Sequence, residues 1–346
     1  MTNNVIRRIV FRLNISFILI FYYCFFSYGQ DPVFTQFYNT PIQINPAFAG
    51  NSIGPTFMAN YRNQWPAFNT YSTYSVSYDQ KIQSLNSGIG FFVMSDDAGG
   101  GTMKTNQIQG MFSYHLLLGD GATLRMGLKA GFVQSRLDWS KLIFYDQLDP
   151  QFGAVGPGGV PIPSGEIPPD GDFVNNIYLD VSSGMVYYNE RFFAGISFSH
   201  MNQPEFSFLG QRENSTGAIV PMRMALMAGY QYRLLESNNA HYGNYITPSI
   251  LLIRQGRFNQ INGQVVFNLN QLILGSGYRH AGILGDAVIG YMGWRYEYMK
   301  FGYSFDFTVS GLGIGSGGSH EISIMVNLDH LYAKPSRYND CFGIFR

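Results

Sequence analysis

Six histidines, His115, His200, His241, His280, His320 and His330, are the side chains here best suited to hold a metal or move a proton. A peptidase-type zinc site places two histidines one helical turn apart around a glutamate, as HExxH, so that both imidazoles face one ion. No such string occurs and no two histidines stand at ligand spacing, so structural or loop roles account for them better. Gly313-Ile314-Gly315-Ser316-Gly317-Gly318 matches a GxGxxG string, which cradles phosphate when a helix N-terminus follows it. The residues that follow alternate as a strand does, and a hairpin loop is the better reading. Asp96 and Asp97 before Gly99-Gly100-Gly101 offer the oxygen ligands that calcium takes, as do Asp138, Asp146, Asp149, Glu166, Asp170 and Asp172, but solvated loops explain both groups more simply. Ser199 and His200 are neighbours on one strand, so they face opposite sides and do not pair as nucleophile and base; no GxSxG string appears. No catalytic, cofactor or metal site emerges, and the chain does not read as an enzyme.

Composition says what kind of scaffold these residues sit on. Charged residues make up 13% of the 346, about half the share usual in soluble domains. Aromatic residues reach 16% and there are 40 glycines, yet the mean hydropathy is −0.04. A helical membrane protein would show several apolar runs of about 20 residues, and none follows the first 30 positions. Apolar residues that are abundant but spread out by alternation are the signature of a membrane β-barrel. The formal net charge is zero, which points away from nucleic acid.

Residues 1–29 read as a secretory leader: Arg7, Arg8 and Arg12 form the basic region, Ile15 to Phe26 the apolar one, and cleavage falls near Gly29. The apolar run is too short for a retained anchor. Cys24 follows the bulky Tyr22 and Tyr23, which lipid-attachment processing disfavours. Cleavage leaves Cys341 as the only thiol, so no intrachain disulfide can form.

Period-two alternation recurs through the mature chain. In Leu124–Phe132 the even positions are apolar, while the odd ones carry Arg125, Gly127, Lys129 and Gly131. Similar alternation marks spans 54–62, 70–80, 87–95, 105–117, 122–136, 173–187, 190–201, 221–234, 244–254, 258–268, 271–280, 286–295, 297–308 and 319–328. This predicts an all-β transmembrane antiparallel barrel of about fourteen strands, an even number that brings both chain ends to the periplasmic side. With the first strand running outward, 96–104, 137–172, 202–220 and 309–318 become external loops, and 119–121, 188–189 and 269–270 short inner turns; only the stretch near 235–243 departs from that asymmetry. A soluble β-sandwich, the alternative, calls for more surface charge and gives no reason for loop lengths to alternate.

The expected domains are a leader (1–29), a periplasmic N-terminal segment or plug (30–53) whose Pro32, Pro41 and Pro46 break ladders, the barrel (54–328) and a periplasmic tail (329–346) free to meet another protein. The lumen-facing charges Arg125, Lys129, Asp306 and Glu321 either line a channel or brace a closed lumen.

More specific strings run through this rhythm. Gln30-Asp31-Pro32-Val33-Phe34-Thr35-Gln36-Phe37, continuing to Asn45-Pro46-Ala47-Phe48-Ala49-Gly50, resembles the start of mature PorP/SprF-family proteins. Tyr61-Arg62-Asn63-Gln64-Trp65-Pro66 with Thr73–Asp79, Phe193–Ser197 through Asn202-Gln203-Pro204, Gly302–Asp306, and Gly318-Ser319-His320-Glu321-Ile322-Ser323 are similar to that family's later signatures. The resemblance implies an outer-membrane component of the Bacteroidota type IX secretion system that helps export or anchor a large surface adhesin, sometimes for gliding. It implies as partners that adhesin, other secretion components and outer-membrane lipid, with no nucleic acid and no small-molecule substrate. A general diffusion porin or small-solute uptake channel is the alternative. Asn45, Pro46, Gly50, Arg62, Gln64, Trp65, Ser319, His320 and Glu321 are the motif residues expected to serve partner contact or barrel closure. Trp65 and Pro66 fall at the first external turn, where Trp65 is either a partner anchor or part of the interfacial aromatic girdle. The Gly/Pro-rich insertion at 153–171 departs from the family pattern, and loops are where partner choice sits.

Overall fold

The computed structural model describes residues 30–68, 71–119, 121–156, 159–166, 173–208, 218–235, 244–281, 286–311, 313–332 and 341–345. The leader expected over 1–29, with Cys24, lies outside the described residues, as do His241, Asp170 and Asp172.

Alternation decides which way each strand faces. In β5 (Ala122–Asp138), Leu128 and Phe132 are each 63% exposed, whereas Arg125 and Lys129 between and beside them are 2% and 5% exposed. Apolar side chains outside and charged ones inside would be unstable in water; the arrangement is stable where the outer solvent is lipid.

Fourteen strands follow this rule. They are β1 (Thr56–Gln64), β2 (Tyr71–Ile82), β3 (Ser87–Ala98), β4 (Met103–Gly119), β5, β6 (Phe173–Tyr188), β7 (Phe192–Ser199), β8 (Arg223–Tyr230, resumed at Tyr232–Leu235), β9 (Asn244–Gln255), β10 (Phe258–Leu269), β11 (Leu272–His280), β12 (Ala287–Tyr296), β13 (Met299–Thr308) and β14 (Ser319–Asn327). Each pairs antiparallel with its sequence neighbours, and β14 pairs with β1 from Asn327↔Thr56 to Ser319↔Gln64. The sheet is therefore closed and has no free edge, which satisfies the backbone in a medium that offers it no hydrogen bonds. Strand number and closure agree with the alternation read in the sequence. The ladder breaks at Gln231, which is buried and whose N–H turns to Arg191 O.

One end of the barrel carries the longer connections: 65–70, 139–172, 200–222 and 309–318. The other carries short turns, 83–86, 120–121, 189–191, 270–271 and 297–298, together with the 236–243 connection expected to depart from the asymmetry, which lies outside the described residues. The loop expected at 96–104 is shorter than its sequence suggested, because β3 and β4 pair as far as Ala98↔Met103. Glu205–Phe206 and Ala218–Ile219 make a small separate ladder within 200–222.

Candidate functional site

The segment ahead of β1 has too many prolines for a strand and folds as turns of helix instead. Pro41 starts a one-turn helix (Pro41–Ile44) and Pro46 a 3-10 turn (Pro46–Phe48), each at a first position where a missing N–H costs nothing. Asn45 caps the second turn by accepting from Ala47 N at 2.9 Å. Residues 34–49 are buried throughout.

Their partners come from strands on every side, which is possible only inside the lumen. Thr35 and Gln36 reach β1, β10, β11, β13 and β14. Asn45 Nδ2 donates to Met185 O of β6 and Ile196 O of β7, both at 3.0 Å. Lys129 of β5 donates to Gln43 O at 3.3 Å, and Ser113 of β4 to Ala49 O at 2.7 Å. At the short-turn end the backbone N–H groups of Gly50 and Asn51 both donate to Asp79 Oδ1 of β2, at 3.1 Å.

An ionic cluster near the long-loop end holds the start of this segment. The closing register sets Arg62 opposite Glu321. Arg62 Nη1 lies 3.2 Å from Glu321 Oε2 and Nη2 2.8 Å from Asp306 Oδ2, while Arg279 forms a second ion pair with Asp306. Two cations thus neutralise two anions, without which their burial would be costly. Glu321 also accepts the backbone N–H groups of Thr35 (2.7 Å) and Gln36 (2.9 Å). Thr35 Oγ1 donates to Asp306 Oδ2 at 2.8 Å and accepts from Arg62 and Arg279. Gln36 Nε2 donates to Ser304 Oγ, and its Oε1 accepts from Ser323 Oγ at 2.6 Å. Buried Tyr38 meets Tyr291 of β12 edge to face at 5.3 Å. Burial, with Tyr291 beside it, holds the Tyr38 phenol well above the ordinary tyrosine range, so it stays neutral.

Space for the segment comes from inward glycines. A Cβ on Gly127 of β5 would stand 2.3 Å from Ala47 N, and one on Gly88 of β3 would stand 2.2 Å from Ala49 O. Gly50, at φ +71°, lies directly on Gly88.

The motif residues thus divide. Asn45, Pro46 and Gly50 belong to the inserted segment; Arg62 and Glu321 grip it. Gln64 accepts from Arg62 Nη2 at 3.3 Å, and Ser319, its partner in the closing register, is buried. His320 faces the other way: on the barrel exterior its ring nitrogen bonds the Tyr303 hydroxyl at 2.8 Å beside Phe305. Trp65, at φ +57°, heads the first turn of the long-loop end, donates its backbone N–H to Gly318 O at 2.8 Å and meets Tyr71 edge to face.

Three further expectations are met differently. Ser199 and His200 do not fall on opposite faces, because His200 lies past the end of β7 at φ +55° and turns its ring inward to Asp180, 2.8 Å away. Asp97 accepts from Gly101 N and lies 3.5 Å from Lys104 Nζ, so this acidic turn is engaged within its own hairpin. The end of the tail is not free: Cys341, Phe342, Ile344 and Phe345 are buried. Thr35 and Gln36 stand in the opening family string without a role assigned there, and Arg279 stands in none; the inward glycines of an otherwise polar face are the available signal for an inserted segment.

Fold and site together define an outer-membrane β-barrel whose lumen holds residues 34–49 of its own chain. Residues 26–326 match the family described as type IX secretion system membrane protein PorP/SprF, and the chain belongs to that family. No protein with a curated description matches it. Among solved structures it is similar to the toluene transporter TbuX of Ralstonia pickettii (7% identity, TM-score 0.44, 84% of this chain and 93% of that one). It is also similar to the outer membrane protein Omp33 of Acinetobacter baumannii (7%, 0.42, 81% and 100%) and the toluene transporter TodX of P. putida (11%, 0.43, 83% and 94%).

Proposed function

We propose that this protein works in type IX secretion as a plugged outer-membrane scaffold that helps export, or holds at the cell surface, a large secreted adhesin. It reaches the membrane behind a leader cleaved near Gly29, and it serves gliding where its adhesin does. The observation that carries this reading is the occupation of the lumen by residues 34–49. The side chains that would line a pore, Arg62, Arg279, Asp306 and Glu321, are instead bonded to each other and to Thr35 and Gln36. A barrel so occupied suits protein recognition at its rim better than solute diffusion through its centre.

Long loops of single-chain outer-membrane barrels face outward, so the described parts of the connections 139–172 and 200–222 belong to the outer face. Tyr145 in the first of these is 92% exposed, and the Gly/Pro-rich stretch 153–171 follows it. Exposed tyrosine among turn-forming residues gives rigid aromatic contact with adaptable hydrogen bonding, which suits a protein partner.

The test is a mild-detergent pull-down of the tagged protein from native outer membranes, with mass spectrometry of what accompanies it. Recovery of a large secreted surface protein, or of periplasmic components of the secretion machine, is the expected result. A barrel recovered without companions that also conducts ions would favour the diffusion porin.

A further inference from the structure

We propose that the short-turn mouth of the barrel is a binding site for an apolar, aromatic peptide segment, filled here in cis by the chain's own residues 341–345. Phe342 and Phe345 are 0% and 1% exposed. Their rings sit in a pocket with walls from two sources: Phe48 of the inserted segment, at 5.4 and 4.7 Å, and Phe193 of β7, at 6.2 and 5.1 Å. Tyr188 of β6 lies tilted against Phe342 at 4.1 Å, and the Arg125 guanidinium lies 5.1 Å from the Phe342 ring. Between the two aromatics Gly343 lies against Tyr245, where an added Cβ would stand 2.9 Å from the phenol oxygen.

Polar recognition is of a different kind. Arg295 donates to Gly343 O, Lys300 to Ile344 O (3.2 Å) and Asn51 to Phe345 O, while Cys341 N–H reaches Asn189 O. Each of these bonds falls on the tail's main chain, which any peptide offers. The side-chain pockets read Phe-Gly-Ile-Phe. Main-chain bonds for affinity and spaced pockets for specificity are how proteins bind short extended peptides.

The walls do not depend on the tail. Tyr188, Phe193 and Tyr245 belong to the closed ladder, and Phe48 is held through the bonds of Asn45 and Ala49 to β4, β6 and β7. Departure of the tail leaves a formed site for a second peptide with two aromatics three residues apart and glycine after the first. A tethered segment acts at an effective concentration on the order of millimolar, so the intact chain hides the site from micromolar competitors. This inference holds whatever the secreted partner is.

The probe is a fluorescent peptide of residues 341–346 with serine in place of the cysteine. It is titrated against the full-length Phe342→Ala/Phe345→Ala variant, against a chain ending at Asp340, and against the intact chain. Saturable binding to the first two, at least tenfold tighter than to the intact chain and at least tenfold weakened when both peptide phenylalanines become alanine, is the expected result. Absence of binding to a variant that keeps heat-modifiable gel migration overturns the proposal, as does equal binding to the intact chain. Loss of that migration in both variants also overturns it, since the tail is then part of the barrel's core and not an exchangeable occupant.

Discussion

Glu321 satisfies two backbone donors and a guanidinium with one buried carboxylate. Removing it leaves the two guanidiniums of Arg62 and Arg279 sharing the one carboxylate of Asp306 and leaves the N–H groups of Thr35 and Gln36 without their acceptor. Breaking a buried pair in this way costs about 3–5 kcal/mol. Glu321→Ala is therefore expected to lower markedly the temperature at which the folded, fast-migrating gel band is lost. Glu321→Gln, which keeps an acceptor oxygen, is expected to lower it less; an alanine variant as heat-resistant as the parent would contradict the role. Asn45 carries a smaller load of the same sort. Asn45→Ala loses a cap and two bonds to the barrel wall, at a cost of about 1–2 kcal/mol. The same melting assay should place it between Glu321→Ala and the parent.

Elements divide by which solvent shaped them. Every strand borders lipid on one side, so its outward positions must be apolar, and that constraint writes a period of two long enough to be read directly. Leu124, Met126, Leu128 and Phe132 carry it in β5. The inserted segment borders only protein. Its helical turns are too short to show a period, and Pro41 and Pro46 announced only that it is no strand. The grip on it was half legible: Arg62 and Glu321 stood in recognisable strings, whereas Arg279 lies on the polar face of β11 with nothing to mark it. The buried end of the tail, Phe342-Gly343-Ile344-Phe345, has neither alternation nor turn residues to place it. Gly127 gives an element-scale test, because a side chain there points at the inserted segment and leaves the lipid face untouched. Gly127→Leu is expected to keep the barrel but displace the turn at Pro46–Phe48, exposing residues 34–49 to added protease. Unchanged protease resistance in a folded variant would count against close packing at that point.

The whole molecule separates its tasks by position: lipid meets the outer apolar band, the lumen holds residues 34–49, and the longer connections gather at one end. Deleting 153–171 should therefore reduce retention of the surface partner in the pull-down while leaving heat-modifiable migration intact. Loss of that migration would show the loop to be part of the barrel's stability and contradict the division. Closure of the barrel by residues 34–49, as proposed, is tested most directly by the current that the purified intact chain carries in a planar bilayer, beside a chain lacking residues 32–49. The intact protein is expected to give no steady conductance and the shortened one to open in discrete steps; a steady, ohmic current from the intact protein would contradict a filled lumen.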